Sequence, residues 1–590
     1  SRDDFIAVQR MLNNAKYKNK SFLPELRVIE SGILKGYVTI NPRWAGFSVD
    51  DYFRACHSAY RLQDGEENNN TQQENTGNMY SYRNDSQNIK ESGAIRRSMG
   101  DVNPSNEQYY MNKFGSNNNN NNNYINNNNN NIDQYNISEN SSRTNPNQNL
   151  FWLPFIILAA LEGVILLALG LLFEYQYEIH QVNKDTDNSV NNLHDDDYFN
   201  YNQFRDVNIM AFIGFGLLHS VLKRNAWASI TINTLLIAIS VQIALFFNFV
   251  WKMAFNEKWR DDNLDFYIIT KAIFISCSVS ITFGCVLGKL SIIQYIIMAI
   301  FEIVLASMNM QLLIEKLEVV DTGGSLYIHT FGGIFALAIS VVLFCSTKAK
   351  DKIRRFENLN MPNYFSSITT FIGVLFIFVF MPSFNAMLSD VSPNINRGRV
   401  NTYLSLFGAV MGSVITSGLL NQGRIVLEQI LYGVLAGGII ISGCCSVCFY
   451  QWAALILGTL SSAIMVVLLA FVKPLFIAWG LRDCCNVIIT HGIFGLLGGF
   501  ITPMFISHLD LGKVKELDLY IDEDRKNPKQ AGIQVGGLFI TVGISFVGGI
   551  ATGFLMKVST CGEINWLFND AEFFNVFDEE MNLKLQEDKV

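Results

Sequence analysis

From Phe151 to Met556 the chain alternates apolar runs of roughly twenty residues with short polar breaks. A run of about 20 residues is what an α-helix needs to cross a hydrocarbon core about 30 Å thick. The pattern predicts about twelve spans, at approximately 151–173, 207–222, 227–251, 267–287, 291–313, 322–345, 362–387, 401–420, 424–443, 451–473, 484–503 and 533–556. No strand-like alternation competes with them. The predicted fold is an all-α polytopic membrane protein.

Basic residues in short loops set the orientation. Lys223-Arg224 follows the second span, and Lys348, Lys350, Lys352, Arg354 and Arg355 follow the sixth. With both loops cytoplasmic, both termini are cytoplasmic too. The acidic stretch 175–206, with Asp195-Asp196-Asp197, and the charged stretch 504–532 then face outward.

Two segments share a pattern. Asp321-Thr-Gly-Gly-Ser-Leu-Tyr-Ile-His329 is followed by Thr-Phe-Gly-Gly, and Asp483-Cys-Cys-Asn-Val-Ile-Ile-Thr-His491 by Gly-Ile-Phe-Gly. Each carries an Asp, then a His, then glycines inside an apolar run. An ionisable residue within a span is costly, so it marks a functional site by default. The two motifs lie an odd number of spans apart, so they run in opposite directions. Two inverted five-helix repeats, 207–345 and 362–503, fit the count, with 151–173 and 533–556 flanking them. In inverted repeats the substrate site lies near the midplane. A helix starting at each Asp would carry its His about 12 Å inward, so His329 and His491 are expected to face each other across a central pore.

Each residue has a plainer reading. Asp321 and Asp483 suit helix N-caps, where a carboxylate accepts backbone N–H groups and favours the positive end of the helix dipole. Direct cation binding is the alternative. The histidines could simply pack helices. Two imidazoles are too few for a metal site, and neither has a carboxylate within a helical turn. The favoured reading is a hydrogen-bonding pair on a narrow apolar path, neutral because the surroundings exclude water. The glycines at 323, 324, 332, 333, 492, 495, 498 and 499 fit close helix packing and say little about function.

Composition changes the picture at the ends. The values of 49% hydrophobic and 16% charged residues average two unlike regions. Residues 1–150 are polar, with tracts Asn117–Asn123 and Asn126–Asn131, and are expected to be a largely disordered extension. Residues 151–556 form the membrane domain and 557–590 a cytoplasmic tail. Most cysteines lie in or beside spans, where Cys acts as a small hydrophobe. Cys444, Cys445 and Cys448 lack a second ligand pair, so neither zinc nor redox chemistry is expected. No GxxxxGK[ST] phosphate loop occurs. No cofactor, metal or nucleic-acid partner is expected, nor an enzymatic site, since no Ser, Cys or metal constellation joins the Asp and His.

The Asp321–Gly333 motif resembles the signature of the Rhesus-type branch of ammonium transporters. Phe212-Ile-Gly-Phe-Gly-Leu-Leu, Gly284-Cys-Val-Leu-Gly-Lys-Leu-Ser, Pro382-Ser-Phe-Asn385 and Val400-Asn-Thr-Tyr-Leu-Ser-Leu also resemble that family, in its order. The resemblance runs from about 151 to 580. The Asn tracts look like those common in malaria-parasite proteins.

The resemblance implies a homotrimer with one pore per subunit and ammonia or ammonium as the solute, in contact with membrane lipid. His329 and His491 match the family's twin pore histidines. Phe274 and Phe384 match its stacked outer gate, and Asn385 the residue beside it. Asp321 and Asp483 match the acids that support the pore helices. The first span matches the extra amino-terminal helix of the Rhesus branch. Two positions depart: Met310 stands where an outer-vestibule acid is common, and Met381 where a Trp is common. Both weaken cation attraction. The implied function is a gradient-driven ammonia channel, with carbon dioxide or methylamine as further solutes, in the plasma membrane. Electrogenic ammonium transport with a separate proton relay is the rival, and a non-transporting scaffold or sensor ranks below both.

Overall fold

The computed structural model describes residues 149–172, 201–256, 264–389, 392–508, 527–558, 564 and 567–574. The expected extension 1–150, apart from its last two residues, lies outside them. So do most of the acidic stretch with Asp195–Asp197 and the tail beyond 574.

The described residues are helical, with no strand among them. Ten helices are long and apolar enough to cross a membrane. They are α1 (Asn149–Leu172), α3 (Ala226–Asn256), α4 (Phe266–Val286), α5 (Ile292–Lys316), α6 (Ser325–Phe344), α8 (Tyr364–Asn385), α9 (Ser392–Leu420), α11 (Gln451–Trp479), α12 (Ile488–Ser507) and α13 (Asn527–Met556). Two shorter ones, α2 (201–218) and α10 (Leu427–Ser442), fill the remaining expected positions. The stretch between α6 and α8 also holds α7 (Thr347–Arg355), a short basic helix too polar to register as a span.

Local chemistry explains the starts. Asp265 accepts the Ile268 N–H at 2.7 Å ahead of α4. Ser291 and Gln294 form a reciprocal cap on α5, as Asn363 and Ser366 do on α8. α11 ends at Gly480, whose φ of 94° suits glycine.

The packing repeats. α3 lies against α4 and α5, and α9 lies against α10 and α11 in the same relation. So α2–α6 and α8–α12 are two five-helix halves, inverted because five crossings separate equivalent members. α13 packs on α5, α6 and α12. α1 touches chiefly α3, and Trp152, Phe155, Leu166 and Leu167 stay exposed on it.

The helix starts correct one expectation. α6 and α12 begin at Ser325 and Ile488, not at Asp321 and Asp483. Gly324, at φ 76°, and Asn486, at φ 51°, bend the chain into left-handed turns that an α-helix cannot include. His329 and His491 therefore sit on the opening turns of their helices, and those turns are π-helical. The 12 Å depth argument fails in its premise, because 319–322 is already buried before the helix begins.

Candidate functional site

The two opening turns meet. His329 Nδ1 and His491 Nδ1 are 3.0 Å apart, and the rings stack with centroids 5.1 Å apart at 29°. That is hydrogen-bond distance. One Nδ1 donates and the other accepts, so a neutral pair turns one Nε2 lone pair and one Nε2–H away from each other's rings. His329 Nε2 has no protein partner although it is buried.

Glycine makes the approach possible. A Cβ on Gly333 would lie 2.3 Å from the Gly492 nitrogen, so α6 and α12 touch backbone to backbone just past the histidines. Ser325 Oγ adds a bond to the Gly495 carbonyl at 2.8 Å.

The aspartates hold the turns, unequally. Asp321 Oδ1 accepts the Ser325 N–H at 2.7 Å, and Oδ2 accepts those of Leu326 at 2.7 Å and Tyr327 at 3.2 Å. Asp483 Oδ2 accepts only Ile488 N–H, at 2.7 Å, and its Oδ1 has no protein partner. Both carboxylates thus bind the first N–H groups of a helix, the groups no helical carbonyl reaches.

Phe274 and Phe384 stack at 4.7 Å between centroids, tilted by 35°, and both are fully buried. At that spacing the rings touch. Gly324 places this pair near the histidines: a Cβ there would meet Phe274 Cζ at 2.9 Å and Ile328 Cδ1 at 2.7 Å. Asn385 adjoins the same turn. Its Nδ2 donates to the Gly438 carbonyl at 3.0 Å and to Thr402 Oγ1 at 3.3 Å, and its Oδ1 has no protein partner. Gly323 lies against the Asn385 backbone and donates to the Ser442 carbonyl at 3.0 Å. Met310 and Met381 are both buried. The structure thus brings all seven candidate residues to the two opening turns or their immediate surroundings.

Two residues escaped the sequence reading. His219, at the end of α2, is buried, and its Nδ1 has no protein partner. Phe215 stands between it and the pair, with its centroid 6.0 Å from His219 and 6.4 Å from His491. Glu302 is fully buried in α5. The Thr282 hydroxyl bridges Glu302 Oε1, at 2.7 Å, and the Gly332 carbonyl, at 3.1 Å, three residues from His329. The signal was present in both cases: an ionisable residue inside a predicted span.

On the face bearing α7 a cavity of about 500 Å³ is lined by Asp483, Arg482, Lys473, Glu428 and Tyr432. It lies where α12 begins. No His, Cys, Asp and Glu cluster that could hold a metal occurs among the described residues. Cys445 donates to the Asn385 carbonyl at 3.2 Å, so it packs the same turn.

The chain is similar to several known proteins. The family model described as Ammonium Transporter Family matches residues 179–566. The chain is 29% identical over 461 residues to the human "Ammonium transporter Rh type C", covering 75% of this chain and 93% of that protein. It is 30% identical over 430 residues to the Canis lupus familiaris protein of the same name, covering 71% and 92%. Among solved structures, one titled "Nitrosomonas europaea Rh50 and mechanism of conduction by Rhesus protein family of channels" superposes with a TM-score of 0.55. It is 24% identical and covers 67% of this chain and 96% of that one, a likeness of fold. A "Sensor Amt Protein" superposes at 0.51, with 17% identity, over 63% and 95%. The chain is a multi-pass membrane protein of the ammonium transporter family, on its Rhesus-type branch.

Proposed function

We propose that this protein carries ammonia or ammonium across a membrane as a gradient-driven channel, and that the species crossing the centre is neutral ammonia. The 3.0 Å His329–His491 contact carries this reading. A charge at the bilayer centre costs about 2.5–3.5 kcal/mol even on a lenient scale. Phe215 lies beside His491, Phe274 beside the Gly324 turn with Phe384 stacked on it, and no carboxylate forms an ion pair with either imidazole among the described residues. Among the described residues no anion stands there to offset the charge of an ammonium ion.

The path runs in four stages. Ammonium reaches the face of Asp321 and passes its proton to the water outside that face. Ammonia passes Phe274 and Phe384 as a ring swings aside. It then meets one imidazole donor and one acceptor, matching its own lone pair and N–H groups. Past Phe215 it reaches His219 and the cavity beside Asp483, where water and the acidic residues return a proton. Buried Met310 and Met381 supply no charge or indole at the entrance, so capture there rests on flux rather than tight binding.

The relatives, named as ammonium transporters, support the solute. The basic loops at 223–224 and 348–355 support a cytoplasmic position for that face, and hence for both termini. The plasma membrane is the proposed site. The exposed apolar faces of α1, α9 and α11 support contact with lipid and with sister subunits of a homotrimer, one pore each. Residues 1–150 and the tail are proposed as extensions outside the conducting unit.

The test is ammonia entry into proteoliposomes holding a pH dye. Wild-type protein should alkalinise the lumen faster than empty vesicles, and His329→Ala together with His491→Ala should alter that rate with the fold retained. Equal rates for protein-bearing and empty vesicles would remove the channel.

A further inference from the structure

On the face bearing α7, and separate from the cavity beside Asp483, a second cavity of about 330 Å³ lies between the ends of α4, α6 and α13, α7 and the tail. Four lysines line it: Lys289, Lys348, Lys352 and Lys557. No Asp or Glu is among its described lining residues.

Lys289 is the most telling. It is 5% exposed, and no carboxylate lies within ion-pair distance of it among the described residues. Its ammonium donates to the Cys285 carbonyl at 2.7 Å and to the Arg482 carbonyl, and stands 4.6 Å above the Phe344 ring. An ammonium has three N–H donors, and two carbonyls occupy two of them, with the Cys484 side chain as a further neighbour. A buried charge is costly, and Asp483, outside the cavity, offsets it only through space. An anion held in the cavity would add a direct counter-charge.

The surroundings suit one. Ser346, at the start of α7, lines the cavity, so the positive end of a nine-residue helix faces it as well. The rest of the wall is apolar, from Phe344 and Met556 at the ends of membrane helices to Leu567 of the tail. A cationic floor under an apolar rim, at the end of spanning helices, is the setting in which clustered lysines meet anionic headgroups.

We propose that this cavity binds a phosphate-bearing anion, and that the bound anion fastens the C-terminal tail to the helix ends. The tail is already poised there. Phe568 donates its N–H to the Gly288 carbonyl at 2.8 Å, one residue from Lys289, and Leu567 forms part of the wall. Asp570 accepts the Ala228 N–H at 2.7 Å and the Trp227 N–H at 3.0 Å, capping α3. Filling the cavity joins α6, α7 and α13 to this clasp. The ligand's source is either a phospholipid headgroup or a soluble phosphate compound. The proposal does not depend on what the pore conducts.

The test uses the full-length protein in detergent, titrated with short-chain phosphatidylinositol bisphosphate, inositol trisphosphate, inorganic phosphate and short-chain phosphatidylcholine, with binding read by native mass spectrometry and thermophoresis. The phosphoinositide should bind and phosphatidylcholine should not. Lys348→Gln with Lys352→Gln should weaken binding about thirtyfold, near fivefold per lysine. Lys348→Arg with Lys352→Arg should keep it, and Arg424→Gln, on an exposed loop outside the cavity, should leave it unchanged. Equal binding of inositol trisphosphate and the lipid assigns the site to soluble phosphates, and preference for the lipid assigns it to the headgroup. Failure of every phosphate compound to bind wild type above phosphatidylcholine would overturn the proposal. So would undiminished binding by the Gln pair.

Discussion

Gly333 and Gly492 lie so close that a Cβ on Gly333 would sit 2.3 Å from the Gly492 nitrogen. This contact sets the separation of the two helices, and through it the 3.0 Å spacing of His329 and His491. The site is built by removing side chains as much as by adding them.

Gly333→Ala should therefore disturb the histidine pair without touching either ring. Overpacking of this kind costs about 1–3 kcal/mol. The melting temperature in detergent should fall, and ammonia flux should fall with it. A variant with wild-type melting and flux would mean that the helices separate freely, and the contact would not set the pair.

The two aspartates predict an asymmetry. Asp321 accepts three backbone N–H groups and Asp483 one. One cap is worth about 0.5–2 kcal/mol, so Asp321→Ala should lower stability more than Asp483→Ala. Thermal melting of the two variants side by side checks the order. The reverse order would mean that Asp483 does more than cap, as its unpartnered Oδ1 beside a cavity allows.

Much of the fold was legible because length and apolarity alone make a span. Ten of the twelve expected spans are helices long and apolar enough to cross, in the expected order, as 267–287 against Phe266–Val286 illustrates. The opposed directions of the two Asp-to-His motifs followed from counting crossings, whereas the depth assigned to His329 and His491 rested on helix starts that the structure moves. The helix starts were not legible, since Gly324 and Asn486 adopt left-handed turns that no hydropathy pattern records. The same holds for α7, which is too short and too basic to show as a span. His219 and Glu302 were legible by the rule that picked out His329, but neither belongs to the repeated motif. The clasp at Asp570 was beyond reach: it joins residues more than three hundred positions apart through backbone N–H groups.

His219 should contribute to conduction. His219→Leu removes one hydrogen-bonding group past Phe215, and the loss of one bond corresponds to a fall in flux of about threefold to tenfold. His219→Gln, which keeps a donor and an acceptor, should fall less. Stopped-flow flux with both variants decides. Equal flux in wild type and His219→Leu would place His219 off the path.

The tail should stabilise the membrane domain. Asp570→Ala removes the cap on α3, worth about 0.5–2 kcal/mol. Faster hydrogen exchange at Trp227 and Ala228 should accompany a lower melting temperature. Unchanged exchange there would mean that the clasp is open in solution.

The most direct test of the central claim records charge and alkalinisation together. Proteoliposomes on a solid-supported membrane receive an ammonium pulse while a lumenal dye reports pH. The account predicts lumenal alkalinisation faster than in empty vesicles with no sustained current. A current that grows with ammonium concentration and is absent from empty vesicles would show that charge crosses with the solute, and would contradict passage of neutral ammonia.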